Sequence, residues 1–483
     1  MKQESFLKSL ATIGAGTIIS LIIGALTTPI ITRVADPVEY GQFSIFTMYT
    51  SFMVMFLCLG MDQSLLRFYY RSNEISYKKK LIFECSIIPL VTAVIFLIFF
   101  LILIQLNVVT FEFDWTCTVL LAVNILVSVV LQFVSLLARI NYDNKLFASV
   151  QVLQKTTYFI CALALLLLFK IQSVYALVIA TVMASVISTI IYLGFQRDFL
   201  PGIRQVFCID KTSLKSLLRF GYPYVFSMGI AVLFQNLDKL ALNYYKTYEE
   251  VGIYASAMTF IALFAVVQSS FNTVWAPKAV EHYEKYPEDK TFYNIVFSVI
   301  TVVMFAIGIT LILFKDVFAL LLGAKYREAS YIMPFLIFNP IMYTISETTV
   351  IGVIFTKRTK LHIIIAGVAC LTNLLGNILL IPSLGCRGAA ISTGFAYIVF
   401  FLLRTLFSEK NYYIGFNIKK LAIITILVIG YAAYNTFYPF NILSIFFALI
   451  CYTVLGLCYR RAIKWVYKYT KNRFSTQWKR LSL

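Results

Sequence analysis

Long apolar runs recur along the whole chain and restrict its fold more than any other feature. Each has 18 residues or more, which is enough for a helix to cross a hydrocarbon layer about 30 Å thick. Backbone groups in lipid must be paired within their own segment, so such runs are helical. Fourteen can be distinguished, at residues 11–32, 42–60, 81–104, 117–137, 149–169, 174–195, 217–242, 251–274, 292–314, 329–355, 361–381, 386–403, 421–438 and 441–459. The sequence therefore predicts an all-α polytopic membrane protein with about 14 transmembrane helices.

The placement of the charged residues supports this interpretation. Only 13% of the residues are charged and 60% are hydrophobic, a composition that cannot cover a soluble surface. If the N-terminus is cytoplasmic, most of the 41 Lys and Arg fall in loops on that side, as the positive-inside rule requires. Both termini are therefore predicted to be cytoplasmic. The net charge of +19 then reflects topology and anionic lipid headgroups rather than a nucleic-acid partner.

Several kinds of processing and chemistry are not expected from the sequence. The first apolar run follows Lys2 and Lys8 but continues for about twenty residues without a small-residue cleavage site, so we interpret it as an uncleaved helix. The nine cysteines are scattered without a C-x-x-C pair, which argues against a disulfide framework or a zinc site. Walker and H-E-x-x-H motifs are absent, and no loop is long enough for a soluble catalytic domain. Transport without a cofactor is predicted, rather than enzymatic activity.

A short polar turn occurs twice in the chain. Glu250-x-Gly252-x-Tyr254 repeats Glu39-x-Gly41-x-Phe43 at an offset of 211 residues. Six helices in each copy would give both copies the same orientation, which is a parallel repeat about an axis along the membrane normal. We therefore predict an N-lobe over residues 1–198, a C-lobe over 199–412, and two additional helices with a basic cytoplasmic tail over 413–483.

Motifs in this order resemble the bacterial polysaccharide flippases of the multidrug/oligosaccharidyl-lipid/polysaccharide exporter superfamily. The resemblance spans the first twelve predicted helices. The matching pieces are Arg33-x-x-x-Pro37-x-Glu39-Tyr40-Gly41-x-Phe43, Leu66-Arg67-Phe68, Glu250-Val251-Gly252-Ile253-Tyr254-Ala255-x-Ala257 preceded by Asp238, and Asn373-x-x-x-Asn377-x-x-x-x-Pro382-x-x-Gly385-x-x-Gly388-Ala389-Ala390. Each piece is weak alone, and the ordered set is more specific.

The resemblance implies two lobes facing a central cavity that opens alternately to either side of a bacterial inner (plasma) membrane. The implied cargo is a polyprenyl-diphosphate-linked glycan, moved from the inner to the outer leaflet for capsule, O-antigen or exopolysaccharide synthesis. The implied partners are membrane lipids, a proton or sodium gradient and the polysaccharide polymerase machinery, with the protein itself a monomer. Two alternatives stay open: a multidrug or small-cation exporter of the same superfamily, and a membrane-embedded polysaccharide polymerase or ligase. The latter would be expected to carry a large outer loop, which this sequence lacks.

Cationic side chains near the predicted membrane segments are candidates for binding the diphosphate, because they suit phosphate oxygens. Arg67 and its repeat counterpart Lys278 come first, since both follow the inner ends of their helices. Each candidate has an alternative role as a headgroup anchor or a snorkelling side chain. The full set is Arg67, Lys278, Lys155, Arg33, Arg139 and Lys239.

Three carboxylates are candidates for ion coupling, and two amides for sugar binding. Glu347 is the deepest carboxylate and would have a raised pKa if it lacked a cationic partner. Asp238 breaks the repeat, because Asp238 and Lys239 correspond to two threonines in the first copy. It would bind a cation, titrate or pair with Arg33, unless it forms a structural salt bridge. Asp62 is a third candidate, or alternatively an interfacial helix cap. The amides are Asn373 and Asn377, which would bind sugar hydroxyls or join helices by hydrogen bonds.

Overall fold

The computed structural model describes residues 3–108, 111–171, 173–200, 210–286, 288–356, 358 and 360–465. These residues form helices and connecting turns, with no strand among them, which confirms the all-α prediction. The first helices are α1 (Gln3–Ile31), α2 (Pro37–Leu57), α3 (Met61–Phe68), α4 (Ile75–Gln105), α5 (Trp115–Ile140), α6 (Asn144–Leu163), α7 (Ser173–Phe195) and α8 (Lys211–Tyr245). Those that follow are α9 (Tyr248–Ala262), α10 (Phe264–Lys285), α11 (Thr291–Leu313), α12 (Lys315–Leu321), α13 (Ala329–Leu336), α14 (Phe338–Thr349), α15 (Ile351–Phe355), α16 (Lys360–Leu384), α17 (Cys386–Asn411), α18 (Ile418–Phe437) and α19 (Ile442–Cys458).

The number of membrane spans depends on how broken helices are counted. Within the described residues, 10 helices are long and apolar enough to cross a membrane. The count rises to 12 if two bent pairs each form one span: α2 with α3, bent by 54°, and α9 with α10, bent by 47°. The two remaining predicted segments contain α19, which is 17 residues long, and the succession α13 to α15. The count of fourteen therefore stays a prediction.

Prolines account for part of the break in the predicted segment 329–355. Pro334 lies inside α13, and its ring removes a backbone donor from that helix. Pro340 follows in the first turn of α14, where a missing amide N–H leaves no helix bond unmade. The segment consequently forms three short helices rather than one long one.

The described residues fall into two compact units. One is drawn from Met1–Asn243 with Thr247–Ala255, the other from Tyr244–Lys246 with Ser256–Leu483. In the first unit, α5, α6 and α7 pack together around Val134, Ala138, Phe147, Val150 and Tyr192. Helix α1 lies against α6, with Gly16 directly over Ala148. Small residues permit such close approach of helices in lipid.

The two copies of the duplicated turn contact each other in the first unit. A Cβ added at Gly41 would overlap the backbone carbonyl oxygen of Tyr248, and one added at Gly252 would overlap that of Pro37. The starts of α2 and α9 therefore pack backbone to backbone. Glu39 caps α2 locally, since its carboxylate accepts a hydrogen bond from the Asp36 N–H at 3.3 Å. In this motif, the glutamate caps the start of a helix, and the glycine leaves room for the backbone of the other copy.

In the second unit, α16 and α17 pack closely along their length, and α17 also contacts α14. A Cβ at Gly376 of α16 would overlap the Ser392 side chain of α17. A Cβ at Gly352 would lie 2.6 Å from the Ser408 carbonyl oxygen. Gly376 and Gly352 therefore allow α16 and α15 to approach α17 closely.

Substitution Gly41→Ala tests the glycine contact. The added methyl group meets backbone rather than a movable side chain, so one helix must shift. Overpacking of this kind costs about 1–3 kcal/mol, and we expect a lower thermal unfolding temperature for the purified protein in detergent. Gly24→Ala is the matched control, because a Cβ at Gly24 of α1 meets no atom within 4 Å. Equal unfolding temperatures for the two variants would contradict the contact.

Candidate functional site

A cavity of about 560 Å³ with a mixed polar and apolar lining lies within the first unit. Residues from α2, α3, α5, α6, α7 and α8 line it. Its polar lining includes Thr50, Asp62, Gln132, Ser135, Gln151 and Gln154, and its apolar lining includes Met55, Val150 and Met228. Among the described residues of its wall, Asp62 is the only charged one. The cavity therefore presents amides, hydroxyls and one carboxylate.

Asp62 reaches the cavity because the chain turns sharply just before it. Gly60 has a φ of +68°, which a residue with a side chain rarely adopts, and α3 departs from α2 at this point. Asp62 is 6% exposed, and its Oδ2 atom accepts hydrogen bonds from Gln63 Nε2 at 3.0 Å and Gln132 Nε2 at 3.4 Å. The cap residue of α3 is Gly60 rather than Asp62, and ion coupling by Asp62 stays a prediction.

The same glycine fixes the approach of α8 to this end of the cavity. A Cβ at Gly60 would overlap the carbonyl oxygen of Gly221, and one at Gly221 would lie 2.6 Å from that of Gly60. Ser64 donates a hydrogen bond to the Leu217 carbonyl oxygen at 2.7 Å. The start of α8 is further held by Glu84 of α4, which accepts a hydrogen bond from Ser213 at 2.7 Å. Helix α8 thus meets α3 and α4 through backbone contacts and short polar bonds.

The other end of α8 is held by residues of the duplicated turn and of the segment between α4 and α5. Tyr254 donates a hydrogen bond to Asp238 Oδ2 at 2.5 Å, and Asp238 is 5% exposed. Glu112 accepts hydrogen bonds from Asn243 at 2.8 Å and from the Tyr248 hydroxyl at 3.1 Å. Asp238 therefore binds the tyrosine of the repeated motif, while its neighbour Lys239 is half-buried.

The predicted cationic residues of the first unit do not line the cavity. Arg33 is exposed in the turn after α1, Arg67 is exposed in the last turn of α3, and Lys155 is exposed on α6. Arg139 is exposed in the last turn of α5, with its guanidinium carbon 5.3 Å from the centre of the Phe147 ring. These four cations are therefore not part of the cavity wall.

In the second unit, Lys278 is exposed on α10, and its Nζ atom lies 3.1 Å from a carboxylate oxygen of Glu281. Asn373 and Asn377 are both buried between helices. The Asn373 amide donates to the Thr393 hydroxyl at 3.1 Å and accepts at its backbone oxygen from Ser392 at 2.8 Å. The Asn373 amide therefore joins α16 to α17 in this conformation, and Asn377 donates to Asn373 Oδ1 on the same helix at 3.4 Å. Sugar binding by the two amides stays a prediction.

Glu347 has a cationic partner that was not identified from the sequence. Arg404 Nη1 lies 2.7 Å from Glu347 Oε1 and donates to the Ser346 hydroxyl at 2.7 Å. The guanidinium carbon of Arg404 is 5.4 Å from the ring centre of Tyr343 and 5.1 Å from that of Phe400. Glu347 is therefore paired with a cation in this conformation, whereas the sequence had left it without an identified partner. A deep carboxylate such as Glu347 indicates from the sequence that a cationic partner is needed. The sequence does not indicate which helix supplies that cation.

A double-mutant cycle on Glu347→Ala and Arg404→Ala tests this pair. Their side chains are 17% and 8% exposed, and removing one partner of a buried pair costs about 3–5 kcal/mol, because the other charge stays buried. We expect each single variant to lower the unfolding temperature, and the double variant to lose less than the two losses combined. Lys285→Ala is the control, since its pair with Glu281 is exposed. Additive losses would show that the two charges do not interact.

Comparison with known proteins places this architecture in a family. A sequence model described as polysaccharide biosynthesis protein matches residues 6–283. An uncharacterized membrane protein of Methanocaldococcus jannaschii is 24% identical over 399 residues, which cover 77% of this chain and 78% of that protein.

Solved structures show the same fold. A lipid II flippase, MurJ, in an inward closed conformation matches with a TM-score of 0.70 at 16% identity, covering 93% of this chain and 99% of its own. An inward-facing multidrug resistance MATE family transporter of the MOP superfamily matches with a TM-score of 0.55 at 16% identity, covering 81% of this chain and 94% of its own. Both neighbours are described as a flippase or a transporter rather than an enzyme. The chain belongs to the polysaccharide biosynthesis protein family and has the fold of the MOP superfamily.

Proposed function

We propose that the protein is a flippase for polyprenyl-diphosphate-linked oligosaccharide. It moves this lipid from the cytoplasmic to the outer leaflet of a bacterial plasma membrane, for synthesis of a capsule, O-antigen or exopolysaccharide. Transport proceeds by alternating access driven by a proton or sodium gradient, and the polysaccharide polymerase machinery uses the product. The family match over residues 6–283 and the likeness to a lipid II flippase support this proposal.

The observation that carries the proposal is the group of amides and hydroxyls that line the cavity of the first unit. A hydrated sugar cannot cross hydrocarbon unless its hydroxyls exchange water for other hydrogen-bonding partners, because an unpaired polar group in an apolar medium is costly. Gln132, Gln151, Gln154 and neighbouring hydroxyls supply such partners inside a bundle of membrane helices. The polyprenyl tail needs no such path and would stay in the lipid.

The diphosphate requires a separate set of groups. Arg67 lies exposed at the end of α3, and guanidinium groups bind two phosphate oxygens at once. Lys278 is also exposed, and its ion pair with Glu281 is a surface pair of small energetic value. A diphosphate is a stronger acceptor than this single carboxylate. We infer that both cations capture the headgroup before the sugar enters.

The double variant Arg67→Ala with Lys278→Ala tests headgroup capture. We expect lipid-linked oligosaccharide to accumulate in the cytoplasmic leaflet, as it would in a strain lacking the protein, because the anionic headgroup has lost its cationic contacts. The measurement is the share of this lipid accessible to a reagent added outside spheroplasts. Lys170→Ala, an exposed cation on the opposite predicted side, is the control. Normal export by the double variant at normal protein levels would rule out these residues.

Glu347 is the leading proposal for ion coupling, with Asp238 and Asp62 as further candidates. Protonation of Glu347 would remove the charge that faces Arg404 at 2.7 Å and leave a buried guanidinium unpaired. Such a change favours a different arrangement of α14 and α17, which is what coupling to a proton gradient requires.

The side chain of a Glu347→Gln variant can neither gain nor lose a proton. We expect its rate of lipid-linked oligosaccharide transport to become independent of pH, while Glu328→Gln, at an exposed carboxylate, retains the pH dependence of the unmodified protein. Transport would be measured in proteoliposomes at a series of external pH values. An unchanged pH profile for Glu347→Gln would exclude Glu347 as the coupling group.

A second candidate function is favoured by one observation. Asp62 is the only charged residue among the described residues lining the cavity, as would suit an exporter of small organic cations. Uptake of a cationic dye into inverted vesicles, together with unaltered lipid-linked oligosaccharide, would favour this alternative over the flippase.

A further inference from the structure

We propose that the cavity of the first unit binds an ammonium group carried on a hydroxyl-rich ligand, with Asp62 as the residue that determines this specificity. If the protein is a glycan flippase as proposed above, such a ligand is an oligosaccharide that contains a free amino sugar. Asp62 would then select the glycan by charge, separately from the diphosphate.

The charge balance around Asp62 carries this inference. Its carboxylate is 6% exposed, and no Lys, Arg or His among the described residues lines the cavity with it. Its hydrogen bonds within the described chain come from two neutral amides, those of Gln63 and Gln132, and both reach Oδ2. A buried carboxylate without a cation is costly, since it has lost water and gained no opposite charge. An ammonium group from a ligand would supply the missing charge.

A second unpaired acceptor lies in the wall of the same cavity. Gln151 Oε1 is buried and has no hydrogen-bond partner among the described residues. Buried acceptors of this kind normally have a donor. Ammonium groups and sugar hydroxyls donate hydrogen bonds, whereas carboxylate and phosphate groups only accept them and would be repelled by Asp62. The cavity therefore favours a cationic ligand rich in donors over an acidic one.

The surroundings of Asp62 fit an ammonium group better than a bare metal ion. Divalent metal cations such as Ca²⁺ require a shell of six to eight oxygen ligands. Gln63 and Gln132 instead turn amide N–H groups toward the carboxylate. The described residues contain no group of three or more His, Cys, Asp or Glu that could hold a metal ion. A volume of about 560 Å³ also falls in the range of small-molecule sites, about 300–1,000 Å³.

Two trimers that differ only in acetylation provide the test. The glucosamine trimer carries ammonium groups at mildly acidic pH, and its N-acetylated counterpart is neutral with the same ring number. We expect the purified full-length protein in detergent to bind the glucosamine trimer at least tenfold more tightly by isothermal titration calorimetry. Asp62→Asn should abolish this difference, and Asp62→Glu should retain part of it. Asp198→Asn is the control, because Asp198 is an exposed carboxylate of the first unit outside the cavity lining.

Equal affinity of the unmodified protein for the two trimers would overturn the proposal without reference to any variant. So would a preference for the glucosamine trimer that persists in a folded Asp62→Asn variant. Tetraethylammonium or Na⁺ binding that depends on Asp62, with no binding of either trimer, would show a small-cation site instead. None of these results decides whether the protein moves lipid-linked oligosaccharide, since transport of a lipid carrying a neutral glycan is measured separately.

Discussion

Hydrocarbon offers no hydrogen-bonding partner to the backbone, and the architecture of this protein depends on that constraint. Continuous helices satisfy it without help, and α5 and α11, which contain no proline, are of this kind. A polar path requires departures from regular helices, which are tolerated where protein replaces solvent. The turn at Gly60 is one such departure, and it brings a buried carboxylate to a cavity wall.

Close approach of backbones is the second consequence. In lipid, apolar side chains gain little by leaving hydrocarbon, so packing and hydrogen bonds hold helices together. Gly41 with Gly252, and Gly60 with Gly221, let backbones meet directly at two places in the first unit. Short bonds such as Ser64 to Leu217 and Tyr254 to Asp238 lie beside these contacts.

The sequence predicted the helical class, the position of most helices and the duplicated turn, because apolar length and glycine spacing are local signals. It also identified Glu347 and Asp62 as unusual charges. It did not predict that Asp62 lines a cavity, or that Arg404 pairs with Glu347, since both depend on how distant helices cross. Asp62 lies within α3, whose direction is set by two consecutive positive φ angles, at Leu59 and Gly60. The break of residues 329–355 into short helices was not predicted either, although Pro334 and Pro340 were local signals for part of it.

The charged and polar groups of this protein suit different parts of the proposed substrate. Cations at exposed helix ends suit a diphosphate, a neutral polar wall suits sugar hydroxyls, and a buried carboxylate suits a positive substituent. Flipping by this protein is measured most directly as translocation of labelled polyprenyl-diphosphate oligosaccharide in liposomes that contain the purified protein under an imposed ion gradient. For a flippase, we expect the share of lipid accessible to a non-permeant glycan-cleaving enzyme to change with time only when the protein is present. Identical accessibility with and without correctly incorporated protein would contradict it.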